Sequence, residues 1–202
     1  MLELCVDWGG VNGKPNPEEL VDLGMLSYDK QDFSKAKKYF EKACDLKYGR
    51  GCNNLGVLYR DGQGVEKNLT KAAQFYSKAC DLNNGGGCAT LGMLYEYGEG
   101  VEKDLIKAAY FYSKACDLNN GSGCGVLGFL YGSGEGVKQD SKKAVALFEK
   151  SCDLNISRGC GALAVLYING QGVEKNLTKA DQYISKACKL GDQEACEALK
   201  EK

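Results

Sequence analysis

Apolar residues in this chain fall at helical spacing, stop, and start again. Leu55, Leu58 and Tyr59 stand at i, i+3 and i+4, and the same set returns as Leu91/Leu94/Tyr95, Leu127/Leu130/Tyr131 and Leu163/Leu166/Tyr167. Such spacing makes one buried helix face. Each set encloses a small residue, Gly56, Gly92, Gly128 or Ala164, which predicts close approach of a partner helix. A second helical pattern follows, as in Lys71-Ala72-Ala73-Gln74-Phe75-Tyr76, where alanines oppose aromatics. Between the two helices lies Gly62-Gln63-Gly64-Val65, with copies beginning at Gly98, Gly134 and Gly170. Two glycines bracketing one residue predict a helix C-cap and then a turn with positive φ. Asn68, Asp104, Asp140 and Asn176 share one offset just before the second helices and predict N-caps.

The period is 36 residues. Cys44, Cys80, Cys116, Cys152 and Cys188 recur at that interval, as do Cys52, Cys88, Cys124, Cys160 and Cys196, and the blocks beginning at Cys52 and Cys88 agree at 26 of 36 positions. Self-similarity at such a period is the mark of stacked supersecondary units. The expected organisation is an all-α solenoid of helix pairs, with units 17–51, 52–87, 88–123, 124–159 and 160–195 and a C-terminal cap at 192–202. The first unit is short: Leu23-Gly24 lies four residues closer to Lys35-Ala36, and the Gly-x-Gly-Val loop is missing. Residues 1–16 have no repeat character and read as an irregular extension.

Composition narrows the chemistry. The 202 residues are 44% hydrophobic and 26% charged, which fits a core-forming chain, and a net charge of −1 offers no basic footprint for nucleic acid. There is no histidine, which removes Ser-His-Asp and Cys-His catalysis and His-ligated zinc. No apolar run approaches the roughly 18 residues of a membrane span.

The recurring set Leu91-Gly92, Tyr95, Gly98-x-Gly100-Val101, Asp104, Lys107-Ala108, Tyr112 and Lys114-Ala115-Cys116 resembles the Sel1-like repeats, α/α relatives of the tetratricopeptide repeat. The C-x7-C pairs set in that frame resemble the Helicobacter cysteine-rich protein family, and the resemblance covers residues 17–202. It implies a right-handed α/α superhelix, secretion, and recognition functions. It also implies, for some members, penicillin binding or weak β-lactamase activity.

In each pair, Cys44–Cys52, Cys80–Cys88, Cys116–Cys124, Cys152–Cys160 and Cys188–Cys196, the first cysteine ends one unit's second helix and the other begins the next unit. A glycine-rich turn between antiparallel helices brings the two Cα atoms within the roughly 4.4–6.8 Å that a disulfide needs. Zinc is one rival, although its sites cluster four ligands at shorter spacings, and reduced core thiols are another. The expectation is disulfides, with no metal and no cofactor. Cys5 is left over, and Met1–Trp8 lacks the basic flank and apolar core of a secretory signal. A lost export signal upstream is the expected origin, with a free thiol or an intermolecular bridge as alternatives. Localisation is accordingly expected to be secreted or periplasmic.

Serine β-lactamases use S-x-x-K with S-D-N and K-T-G. Two S-x-x-K matches occur, Ser27 to Lys30 and Ser34 to Lys37, without the other two motifs. They are weak candidates for slow β-lactam or cell-wall-peptide chemistry. Ser34 stands where Thr70 stands in the next unit, at a helix start, so a structural role competes. Asn68-Leu69-Thr70 and Asn176-Leu177-Thr178 match glycosylation sequons but read as caps.

Binding positions are those that vary while the frame repeats. Asn53, Asn54, Val57, Arg60 and Asp61 become Met93, Glu96 and Tyr97, then Phe129, then Val165, Ile168 and Asn169 at matching offsets. A surface polar at one end and apolar at the other, on the helices that line the concave groove of such arrays, suits an extended segment of a peptide or protein partner, a host protein or a cell-wall peptide among the candidates. Merely tolerant surface positions, with Met93 and Phe129 as satellite core, are the alternative. The chain is expected to act as a monomer, without nucleic acid. The recurring Lys71, Lys107, Lys143 and Lys179 read as a solvated face, with an anion site as the alternative.

Overall fold

The computed structural model describes residues 16–200, and Cys5 and the extension before Asn16, with what is expected of them, lie outside those residues. Among the described residues the chain is entirely helical, as the period requires. Eleven helices follow one another: α1 (Pro17–Asp29), α2 (Phe33–Asp45), α3 (Gly49–Asp61), α4 (Leu69–Asp81), α5 (Gly85–Tyr97), α6 (Leu105–Asp117), α7 (Gly121–Ser133), α8 (Ser141–Asp153), α9 (Ser157–Asn169), α10 (Leu177–Lys189) and α11 (Gln193–Lys200). They divide into two compact units, one ending at Gly87 and the other beginning at Cys88.

Local chemistry explains the boundaries. Asn68, Asp104, Asp140 and Asn176 each accept a hydrogen bond from the backbone N–H three residues on, at 2.8–3.0 Å, so the two sequons are helix caps here. Gly62, Gly134 and Gly170 close their helices in the left-handed conformation.

In the first unit, α1–α4 pack in sequence around Leu20, Val21, Phe40, Leu55 and Leu58, all buried. A Cβ on Gly56 would stand 2.6 Å from the Tyr76 ring, so this glycine is imposed by the aromatic of the partner helix. In the second unit Gly128 meets Phe148 in the same way, at 2.9 Å. Where the glycine becomes Ala164, the opposing aromatic becomes the smaller Ile184, which packs on the same cluster. Large-to-small compensation therefore keeps the helix spacing.

The cysteine corners differ in detail from the glycine-rich turn expected. Left-handed turn residues are Lys47, Asn83, Asn119, Asn155 and Gly191, only the last a glycine. The glycines sit instead in the first turn of the next helix: a Cβ on Gly51 would stand 2.6 Å from Ala43 Cβ, and one on Gly123 2.7 Å from Ala115 Cβ. They allow that turn to lie directly on the preceding helix. The Cα atoms of Cys44–Cys52, Cys116–Cys124, Cys152–Cys160 and Cys188–Cys196 are then 4.5–4.6 Å apart, and all four pairs are disulfides. Cys80 and Cys88 are disulfide-bonded as well.

Tyr76 is fully buried and its hydroxyl has no hydrogen-bond partner among the described residues. Burial pushes its pKa from 10.0 up to about 12. The fold favours the neutral phenol, so the stability it carries is complete below about pH 10 and lost as pH rises to about 12. Two pKa units correspond to roughly 2–3 kcal/mol. Tyr76→Phe is expected to blunt that alkaline loss and, by removing an orphaned hydroxyl, to raise stability at neutral pH by up to about 1 kcal/mol. Urea unfolding followed across pH 7–12 checks both, and an unchanged alkaline limb in the variant excludes Tyr76 as its source.

Candidate functional site

The serine–lysine candidates are placed first. Ser27 is buried in α1 and donates to the Leu23 carbonyl at 2.9 Å. Lys30 is the exposed C-cap residue of the same helix, and Ser34 is exposed in the first turn of α2. Lys37 pairs with Glu41 at 3.1 Å, and that hydrogen bond holds its ammonium above the usual 10.5, against the direction a lysine base requires. Among the described residues neither serine hydroxyl is hydrogen-bonded to a lysine.

The variable helix positions take different roles in the two units. In the first, Arg60 forks onto its neighbour Asp61, Nε to Oδ1 at 2.7 Å and Nη2 to Oδ2 at 3.0 Å. The hydrogen bond keeps Asp61 below the usual carboxylate range and Arg60 firmly charged. Asn54 Nδ2 lies 3.5 Å from Met25 Sδ, while Asn53 and Val57 are half-buried on the same helix. This stretch is polar and largely satisfied by itself.

In the second unit Met93 packs against the core cluster of Ala108, Tyr112 and Leu127 rather than standing free. Glu96 accepts a 2.6 Å hydrogen bond from Tyr112, whose phenol is pushed up by burial and then by that carboxylate. Tyr97 and Asn169 are exposed and lie outside both the cleft that Phe129 borders with Val165 and the one it borders with Glu96. Phe129, Val165 and Ile168 come together. They border a cleft of about 790 Å³ between α7, α8, α9, α10 and α11, lined also by Phe148, Ile184, Asp192 and Glu194. A second cleft of about 500 Å³, lined by Glu96, Ser122, Val126 and Glu135, shares Phe129, Ser133 and Arg158 with the first. Phe129 is 53% exposed and Val165 51% exposed, although Phe129 also meets the Phe148 ring edge-on at 4.8 Å.

Arg158, Asp192 and Glu194 were not among the expected site residues. Arg158 occupies the offset held by Arg50, Gly86, Ser122 and Glu194 in other repeats. That offset varies as freely as the chosen ones, so comparing repeats one helical turn earlier finds it. The recurring lysines have a partner that neither expected role supplied. Lys71, Lys107, Lys143 and Lys179 lie 5.0–5.4 Å from the ring centroids of Tyr59, Tyr95, Tyr131 and Tyr167. Among the described residues no His/Cys/Asp/Glu group is suited to hold a metal, and no helix is long and apolar enough to cross a membrane.

Comparison with known proteins fixes the frame. The Sel1 repeat matches residues 24–48, 49–84, 87–120, 123–156 and 157–192, most of the chain. The chain belongs to the Sel1 repeat family. A Sel1 repeat protein from Oxalobacter formigenes superposes with a TM-score of 0.80 at 28% identity, covering 87% of this chain and 72% of that one. A protective antigen of uropathogenic Escherichia coli with an SLR fold gives 0.81 at 27% identity, covering 89% and 39%. Helicobacter pylori cysteine-rich protein B is 45% identical, with a TM-score of 0.55, over 65% of this chain and 95% of that one. In sequence, the putative beta-lactamase HcpC of Helicobacter pylori is 64% identical over 66 residues, 33% of this chain. The aligned stretch spans 22% of HcpC's length. Sel1 repeats at this frame, joined to C-x7-C disulfides, place the chain among the cysteine-rich Helicobacter-type arrays.

Proposed function

We propose that this Sel1 array is a disulfide-braced scaffold outside the cytoplasm that holds an extended segment of a peptide or protein partner in the α7–α9–α11 cleft. The observation that carries this reading is the group Phe129, Val165 and Ile168, three exposed apolar side chains that border one cleft. Apolar pockets with a few fixed polar groups are how such surfaces take side chains along an extended chain. Oxidised cysteine pairs support a compartment where disulfides persist. The general role of Sel1 repeats in protein interaction points the same way.

The test is selection of phage-displayed random peptides on the oxidised chain, with enriched sequences remade and measured by fluorescence anisotropy. The variant Phe129→Ala/Val165→Ala/Ile168→Ser is expected to weaken their binding at least about tenfold, since hot-spot truncations cost about 1–2 kcal/mol or more. Enriched peptides that bind the variant equally well overturn the cleft assignment.

A further inference from the structure

Two glycines in the cleft have no folding role. Gly132 in α7 and Gly161 in α9 lack positive φ, and a Cβ on either meets almost nothing: Ala144 Cβ at 4.0 Å for Gly132, Asp192 Oδ2 at 3.8 Å for Gly161. Gly128, one turn away, is by contrast pressed on the Phe148 ring. Other repeats fill the Gly132 offset with Arg60, Glu96 and Ile168. Glycine inside a helix is destabilising relative to alanine, so open space is what these two residues provide. The space is bounded by Ala144, Phe148, Val165 and Ile184.

Charge around that notch is one-sided. The two clefts share Phe129, Ser133 and Arg158; one carries Glu96 and Glu135 and the other Asp192 and Glu194, against the single cation Arg158. The chain as a whole is nearly neutral, at −1. Among the described residues none of these five enters an ion pair. Asp192 uses only Oδ1, accepting from the Ala195 N–H, and its Oδ2 faces the Gly161 side.

We infer that this cleft selects a cationic segment bearing one large apolar side chain, aromatic for best fit. That side chain enters the notch at Gly132 and Gly161. Lysine or arginine residues before and after it meet the two acidic pairs, and Arg158 donates to a main-chain carbonyl between them. The inference rests on the cleft being a peptide site and adds which peptides it takes. Complementary charge of this kind sets specificity and association rate and is screened by salt.

Three labelled nonapeptides test it by anisotropy on the full oxidised chain: a central phenylalanine flanked by lysines, the same flanked by glutamates, and a central alanine flanked by lysines. The lysine–phenylalanine peptide is expected to bind at least about tenfold tighter than either other, with the charge preference shrinking severalfold in about 0.5 M salt. Gly132→Ile, which copies the side chain found at this offset in the following repeat, is expected to erase the phenylalanine-over-alanine preference without lowering the melting temperature. Glu135→Gln/Glu194→Gln, on exposed positions, is expected to erase the lysine-over-glutamate preference while keeping the other. Equal binding of the phenylalanine and alanine peptides, or of the lysine and glutamate peptides, overturns the inference. If library peptides of other composition bind at Phe129, Val165 and Ile168, this specificity falls and the cleft reading stands; if the library yields no binder, both fall.

Discussion

Gly136→Ala is expected to destabilise the chain by about 3 kcal/mol, lowering its melting temperature by about 10 °C. Gly136 follows α7 with φ at +70°, and a Cβ there would run into the carbonyl oxygen of Leu105, the first residue of α6, with the Leu105 carbonyl carbon at 2.6 Å. Left-handed backbone costs a non-glycine residue about 1–2 kcal/mol. Displacing a helix start, which unlike a side chain has no alternative rotamer, supplies the rest. Gly172 meets Ser141 at the start of α8 in the same fashion, and Gly64 meets Phe33 at the start of α2. In these three loops the second glycine is therefore a contact between successive repeats as well as a turn. Gly132→Ala, four residues earlier, is the control: with open space around its Cβ it is expected to gain about 0.5 kcal/mol. Thermal unfolding followed by circular dichroism reads both, and a neutral Gly136→Ala removes the contact from the account.

Removing a single corner disulfide has the next largest effect. Cys152→Ala/Cys160→Ala is expected to lose about 2.5 kcal/mol from the unfolded chain's regained freedom alone. Both cysteines are fully buried beside Ala187, so the cavity left by two sulfurs adds to that. Full reduction is expected to lower the melting temperature further, by less than the sum of single losses, because neighbouring corners are coupled through helices that pack on one another, α7 on α8 and α9 on α10. Burial also shields the Cys44–Cys52, Cys116–Cys124 and Cys152–Cys160 bridges from reductant until a unit opens, whereas Cys188 and Cys196 are half-buried. Thiol alkylation of the native chain without reductant, read by intact mass, is expected to leave ten cysteines unmodified. Modification of the corner cysteines in the folded chain, or a melting temperature indifferent to reductant, is the contrary result.

Much of the frame is legible in the sequence because each repeated residue answers a local demand. Asn68, Asp104, Asp140 and Asn176 recur because a helix start leaves N–H groups without partners, and the structure shows each one accepting. Gly56 and Gly128 recur because an aromatic ring lies across them. Repeat-to-repeat variation likewise pointed at Phe129, Val165 and Ile168. It was less informative for Met93, which fills a core gap, and for Arg60, which bonds its own neighbour. Variation marks positions that the frame does not constrain, and a side chain there is free to satisfy itself as well as to meet a ligand.

By itself the sequence determined the period, the helix pairs, their caps and the pairing of cysteines eight residues apart, since all of these follow from backbone hydrogen bonding and short-range spacing. Only the tertiary structure decided which variable positions share a cleft. Equivalent offsets receive different neighbours: Glu96 meets Tyr112, whereas a Cβ on Gly132 at the same offset would find only Ala144 Cβ, at 4.0 Å, and the residue equivalent to Tyr112 is Phe148, which has no hydroxyl to offer. That difference is set across helices by residues sixteen apart in the chain, and by α11 bringing Asp192 and Glu194 to the rim. Periodicity within one helix carries no record of either.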